Sequence, residues 1–162
     1  MTEYPRVVLF GSISGGWREK YIIPVLEEYG ITYYNPVAPT GWTTIYGDRE
    51  AELMAHCETI VIVINKTSAA FTSLAESGWA ALGAAQRGQH FILQIDLDYM
   101  IDTEGAVTDT ETGRSLQGYL KHWSTSSRYL VYKHAQEFRL DRIHLVNDMD
   151  GVIAKLRQIY GT

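Results

Sequence analysis

Glu76 stands in the run Phe71-Thr72-Ser73-Leu74-Ala75-Glu76-Ser77-Gly78-Trp79-Ala80-Ala81, a nearly apolar stretch interrupted by one carboxylate. An oriented, ionised carboxylate can attack the anomeric carbon of a sugar, or stabilise the positive charge that develops there. Near a helix start, the partial positive charge of the first turn favours the ionised form. The spacing Ser73-Leu74-Ala75-Glu76 also fits an N-cap serine followed at the third helical position by a glutamate that bonds back to the serine N–H. These two roles compete for one side chain. Acid–base work on a leaving base calls for a second carboxylate. Asp48, Glu50 and Glu52 offer one on a preceding predicted helix, and spacing leaves open which of them faces Glu76.

Elements of both kinds must position these groups. Val7-Val8-Leu9-Phe10, Ile31-Thr32-Tyr33-Tyr34, Thr59-Ile60-Val61-Ile62-Val63-Ile64, His90-Phe91-Ile92-Leu93-Gln94-Ile95 and Ile143-His144-Leu145-Val146 read as strands, short, apolar and rich in β-branched residues. Helical spacing predicts helices over residues 17–29 (interrupted by Pro24), 48–56 (capped by Asp48), 73–87 (stopped by Gly88), 114–137 (broken near Ser124-Thr125-Ser126-Ser127) and 147–160 (capped by Asn147 or Asp148). Five alternations of strand and helix predict one α/β domain over residues 1–162, with a parallel sheet covered on both faces.

Ligands of such sheets lie beyond the carboxyl ends of the strands. Residues 11–17, 35–47 and 65–76 converge there. The first brings Gly11, Ser12, Trp17 and Arg18, in neither a GxxxxGK[ST] nor a GxGxxG pattern. Its glycines allow close backbone approach, Trp17 can pack under a ligand, and Arg18 can meet a carboxylate or phosphate. Asn35, Trp42 and Tyr46 belong to the second segment, where aromatics suit a lid over a planar base.

Composition excludes several classes. A net charge of -5 argues against a nucleic-acid polymer as partner. The lone Cys57 rules out an intrachain disulfide and fits a reducing compartment. No run approaches the ~20 apolar residues of a membrane span, and the N-terminal residues lack the layout of a signal peptide, so the expected location is the cytoplasm. His56, His90, His122, His134 and His144 show no metal-ligand spacing, and a nucleophile elbow is absent. Neither a metal nor a cofactor is expected. With 11 Tyr and 4 Trp, several of them late in the chain (Tyr119, Trp123, Tyr129, Tyr132), the chain is expected to form a homo-oligomer.

Gly11-Ser12, Trp17-Arg18, Ile22-Ile23-Pro24-Val25-Leu26, Tyr34-Asn35-Pro36, Trp42 and Ser73-Leu74-Ala75-Glu76-Ser77-Gly78-Trp79-Ala80 together resemble the nucleoside 2-deoxyribosyltransferase-like family over roughly residues 6–96. The resemblance implies a flavodoxin-like three-layer sandwich with a five-stranded parallel sheet. It also implies a retaining N-glycosyl transferase or N-glycosidase acting on a nucleoside or nucleotide. Glu76 would be the nucleophile, Gly11, Ser12 and Ser73 would hold the sugar or its 5′ group, and Trp42 with Glu50 or Glu52 would hold the base. Two alternatives share the sheet: a nucleotide-binding or sensing module without chemistry, and an NAD-cleaving enzyme of the TIR kind. The lead Phe71-Thr72-Ser73-Leu74 departs from the Gly-rich lead of characterised transferases, and the end Ile159-Tyr160-Gly161-Thr162 offers no match to their C-terminal site residue.

Overall fold

The computed structural model describes residues 3–37, 41, 43–101, 109–111, 113, 115–138 and 140–161. The strands are β1 (Val7–Gly11), β2 (Tyr33–Tyr34), β3 (Thr59–Ile64), β4 (His90–Ile95) and β5 (Ile143–Val146). All pair in parallel, in the order β2-β1-β3-β4-β5. This is the flavodoxin-like doubly wound order, as expected.

Alternation along each strand builds two cores. Val8, Phe10, Ile60, Ile62, Ile64, Phe91 and Leu93 point to one face, covered by Leu53 of α2 (Thr44–His56), by Leu74, Ala80 and Ala84 of α3 (Phe71–Arg87) and by the edge of α4 (Leu116–Glu137). Val7, Leu9, Val61, Val63 and Ile92 point to the other. There Val25 and Leu26 of α1 (Ile23–Glu28) and Val152 and Leu156 of α5 (Met149–Tyr160) pack on them. β3 is buried along its whole length, as a run apolar on both faces requires.

Arg18–Ile22 forms a π-helical turn, and the α-helix begins only at Ile23, with Pro24 in its first turn, where proline is tolerated. Local boundaries correct three expectations. Helix α2 begins at Thr44, so Asp48 lies within it and caps nothing. Helix α3 begins at Phe71, after Ala70 in a left-handed conformation with φ 54°. Helix α4 runs unbroken through residues 124–127. Asp148 does cap α5, its Oδ1 accepting from Gly151 N at 2.8 Å.

The half-buried His90 and His144 stack at 5.8 Å between β4 and β5, and His90 Nδ1 finds no hydrogen-bond partner among the described residues. Burial first, then nearby cations (Arg142 and Lys155 for His90; Lys155 and the partner imidazole for His144) lower both from the usual histidine range, with Glu58 partly opposing at His90. A histidine lowered on folding binds fewer protons folded than unfolded. The stability it supports is therefore full above the unfolded value of about 6.5 and falls as pH drops below it. Urea unfolding midpoints should decline from about pH 7 to 5, and the double change His90→Phe, His144→Phe should flatten that slope.

Candidate functional site

At the carboxyl ends of β1 and β3, crossovers depart to opposite faces. This is the switch point where open α/β sheets form a crevice. The backbone here is tightly tied. Gly11 leaves β1 with φ 114°, and a Cβ there would lie 2.1 Å from Val63 O. Its glycine identity therefore serves the approach of β1 to β3. Ser12 is buried; its N–H donates to Val63 O at 2.8 Å and its Oγ accepts from Asn65 N at 3.1 Å. Asn65 then joins the two loops. Its Nδ2 donates to Ser14 O at 2.6 Å, while its Oδ1 accepts from Thr67 N and Thr67 Oγ1 at 3.1 and 2.9 Å.

Trp17 and Arg18 are placed differently from a ligand-facing pair. Trp17 is 3% exposed, and its Nε1 donates to Ser12 O at 2.7 Å. Arg18 is 1% exposed, and donates to Leu9 O, Ser12 O and Gly11 O at 2.9, 2.9 and 3.3 Å. Its guanidinium fork thus binds the end of β1, stacked over Trp17 at 4.2 Å. Burial lowers its pKa to about 10, partly opposed by Glu19 and Glu50. The expectation that Trp17 underlies a ligand and Arg18 fixes its anion is corrected, because main-chain carbonyls occupy the groups that would do so.

Asn35 is similarly engaged. Its Nδ2 donates to Glu19 Oε1 at 2.9 Å, tying the exit of β2 to the π-helical turn. Ser73 is buried in the first turn of α3, without an open face for a sugar. Trp42 lies outside the described residues.

The carboxylates are sorted by the docking of α2 on α3. Glu52 accepts from Tyr4 OH at 2.9 Å and pairs with Arg49 at 2.8 Å on the exposed side of α2. Its expected place at the base is corrected, since its two oxygens are taken by Tyr4 and Arg49. Asp48 is exposed. Glu50 is half-buried and close enough to Glu76 to influence its titration; Arg18 and Tyr34 feel the same carboxylate.

Glu76 is the sixth residue of α3, and the first turn of that helix contains no acid. The capping-box expectation is therefore corrected, and with it the argument from the helix dipole. Ala70 occupies the cap position, its N–H donating to Ser68 Oγ at 3.2 Å. Glu76 is half-buried. Burial and, second, the Glu50 carboxylate raise it above the usual carboxylate range. A carboxylate so placed is a stronger base and nucleophile than a solvated one. Together the two acids complement a cation or an oxocarbenium-like charge.

Sequence reading missed one organising residue, Arg128. It is fully buried on α4. Its Nη1 donates to Asp96 O at 2.8 Å, and its Nη2 donates to Asn65 O at 3.0 Å and to Ser68 O. Ser124, one helical turn earlier, accepts from Arg128 Nε at 3.0 Å and donates to Ala69 O at 2.9 Å. Arg128 therefore shapes the loop that delivers α3 and Glu76. The only signal in the sequence was a Ser/Arg pair four apart.

No helix among the described residues is long and apolar enough to cross a membrane. No family model and no curated protein matches the chain. Among solved structures, the chain is similar to one in the crystal structure of the RPS4 and RRS1 TIR domain heterodimer, at 10% identity over 96% of this chain and 99% of that one, with a TM-score of 0.45. The resemblance to the nucleoside 2-deoxyribosyltransferase-like family is corrected: no family model matches the chain. The chain is an α/β protein with a flavodoxin-like five-stranded parallel sheet.

Proposed function

We propose that the chain is a nucleotide N-glycosidase that cleaves NAD at the bond between nicotinamide and ribose, with Glu76 as the nucleophile. The observation carrying this reading is Glu76, half-buried in the helix that follows β3, with the half-buried Glu50 of α2 near enough to raise it. A negative site favours a substrate whose leaving group is already a cation. When the C1′–N bond of NAD breaks, its electron pair goes to the ring nitrogen and nicotinamide departs neutral, so no general acid has to protonate it. Glu76 oxygen bonds to C1′ as this happens, or stabilises the cationic carbon as an ion pair. Water then attacks C1′, Glu76 leaves as the carboxylate, and the proton lost from water passes to Glu50 or to solvent. The products are ADP-ribose, nicotinamide and one proton. A neutral purine, in contrast, would need a proton as it left. The lone buried thiol, Cys57, fits a cytoplasmic setting for this chemistry.

The test is incubation with NAD and chromatography of the products, alongside deoxyinosine with free adenine. Nicotinamide and ADP-ribose from NAD, lost in Glu76→Gln, support the reading. A thermal shift with NAD but no released nicotinamide would replace it with a nucleotide-binding module.

A further inference from the structure

Apart from Arg87 at its C-terminal end, the exposed positions of α3 carry no charge. Its exposed positions from residue 71 to residue 86 are Phe71, Thr72, Ala75, Gly78, Trp79, Leu82 and Gln86. Trp79 is 79% exposed, Leu82 45% and Phe71 42%. A solvent-facing helix in a globular domain normally sets charged residues opposite its buried stripe, and loss of charge with enrichment of aromatics marks the centre of an interface.

Three further observations concern this same face. Phe71, Ala75, Gly78 and Leu82 follow a four-three-four spacing, the repeat that keeps one apolar seam against a partner helix. Among the described residues nothing requires a glycine at position 78, since a Cβ there would meet nothing within 4 Å, although a mid-helix glycine weakens a helix relative to alanine. Gly78 is exposed on the outward side of α3. Close approach of a second backbone is what an exposed glycine permits. Finally, Ala75, Gly78 and Leu82 form one wall of an apolar groove of about 360 Å³, with Val131 and His134 on the other wall and Phe91 below.

We propose that this face is a homodimer interface, with the seam of α3 packed against the same seam of a second copy and apolar side chains of each copy entering the other's groove. A second copy is the occupant that charge favours. Each chain carries -5, so two copies meet with least repulsion across an uncharged strip, whereas a basic partner would gain nothing there. A seam of this spacing is also its own complement under two-fold symmetry.

Sedimentation velocity across micromolar to millimolar loading tests this, with circular dichroism as the check on folding. The wild type should be a reversible dimer. Leu82→Glu should weaken association by about a hundredfold or more with an unchanged spectrum, since Leu82 is not part of the core. Gly78→Ala should separate fold from interface: the thermal midpoint measured at monomeric concentrations should rise, while association weakens by about tenfold or more. A wild type that stays monomeric at millimolar loading would overturn the proposal. So would Leu82→Glu or Gly78→Ala protein that associates as tightly as the wild type.

Discussion

Glu76→Gln should lose NAD cleavage by roughly a thousandfold or more, about 4 kcal/mol of transition-state stabilisation, and should at the same time give a slightly more stable protein. The amide keeps the volume and polarity of the side chain but can neither attack C1′ nor neutralise a positive carbon. The stability sign follows from the titration. Burial, then Glu50, raise Glu76 on folding. The folded state therefore binds a proton more readily than the unfolded one. Stability is greatest below the unfolded pKa and declines as pH rises through the folded pKa. At neutral pH the wild type bears the cost of a partly desolvated charge beside a like charge, and glutamine removes it. Nicotinamide release and urea unfolding at neutral pH measure the two effects together. Loss of activity with a raised midpoint is the signature of a functional carboxylate kept at the expense of stability. Loss of both would make Glu76 a structural residue.

Arg128→Met should destabilise the fold by about 3–5 kcal/mol, through carbonyls left without donors in a buried place. In a chain of this length that corresponds to roughly a 10 °C fall in thermal midpoint. Methionine fills much of the apolar volume, so packing loss is the smaller part. The carbonyls of Asn65, Ser68 and Asp96 would lose the one fork that reaches all three. Arg128→Lys should recover only part of the loss, because an ammonium is a point donor without the planar reach of a guanidinium. Amide exchange should speed up across residues 65–76 before the sheet is affected. An unchanged midpoint in Arg128→Met would mean that water replaces the guanidinium.

Both predictions turn on charged residues, and the two were legible to different degrees. Glu76 was visible because a single acid in an apolar run is an anomaly of composition. Its position along the helix was not visible. Ser73-Leu74-Ala75-Glu76 fits a capping box, yet α3 starts before Ser73, because Ser68 Oγ and the Arg128–Ser124 pair hold the preceding loop and turn Ala70 into a left-handed start. Arg18 looked like a ligand-binding cation at a helix start. It instead donates to three carbonyls at the end of β1. A side chain's type states what it can bond to, while its partners depend on which backbone groups the fold brings within reach.

The five strands were readable because their burial leaves a local record: a run such as Thr59-Ile60-Val61-Ile62-Val63-Ile64 is β-branched and apolar throughout, and alternation with helices then implies a parallel, doubly covered sheet. That much the sequence determined by itself. The tertiary structure alone decided that Glu50, and not Glu52, lies near enough to Glu76 to raise it. It also decided that Gly11 is required by the main chain of Val63, and that Gly78 is required by nothing among the described residues. Each of these depends on how elements far apart in sequence dock. Periodicity records which side of a helix is buried; it does not record which neighbour that side meets.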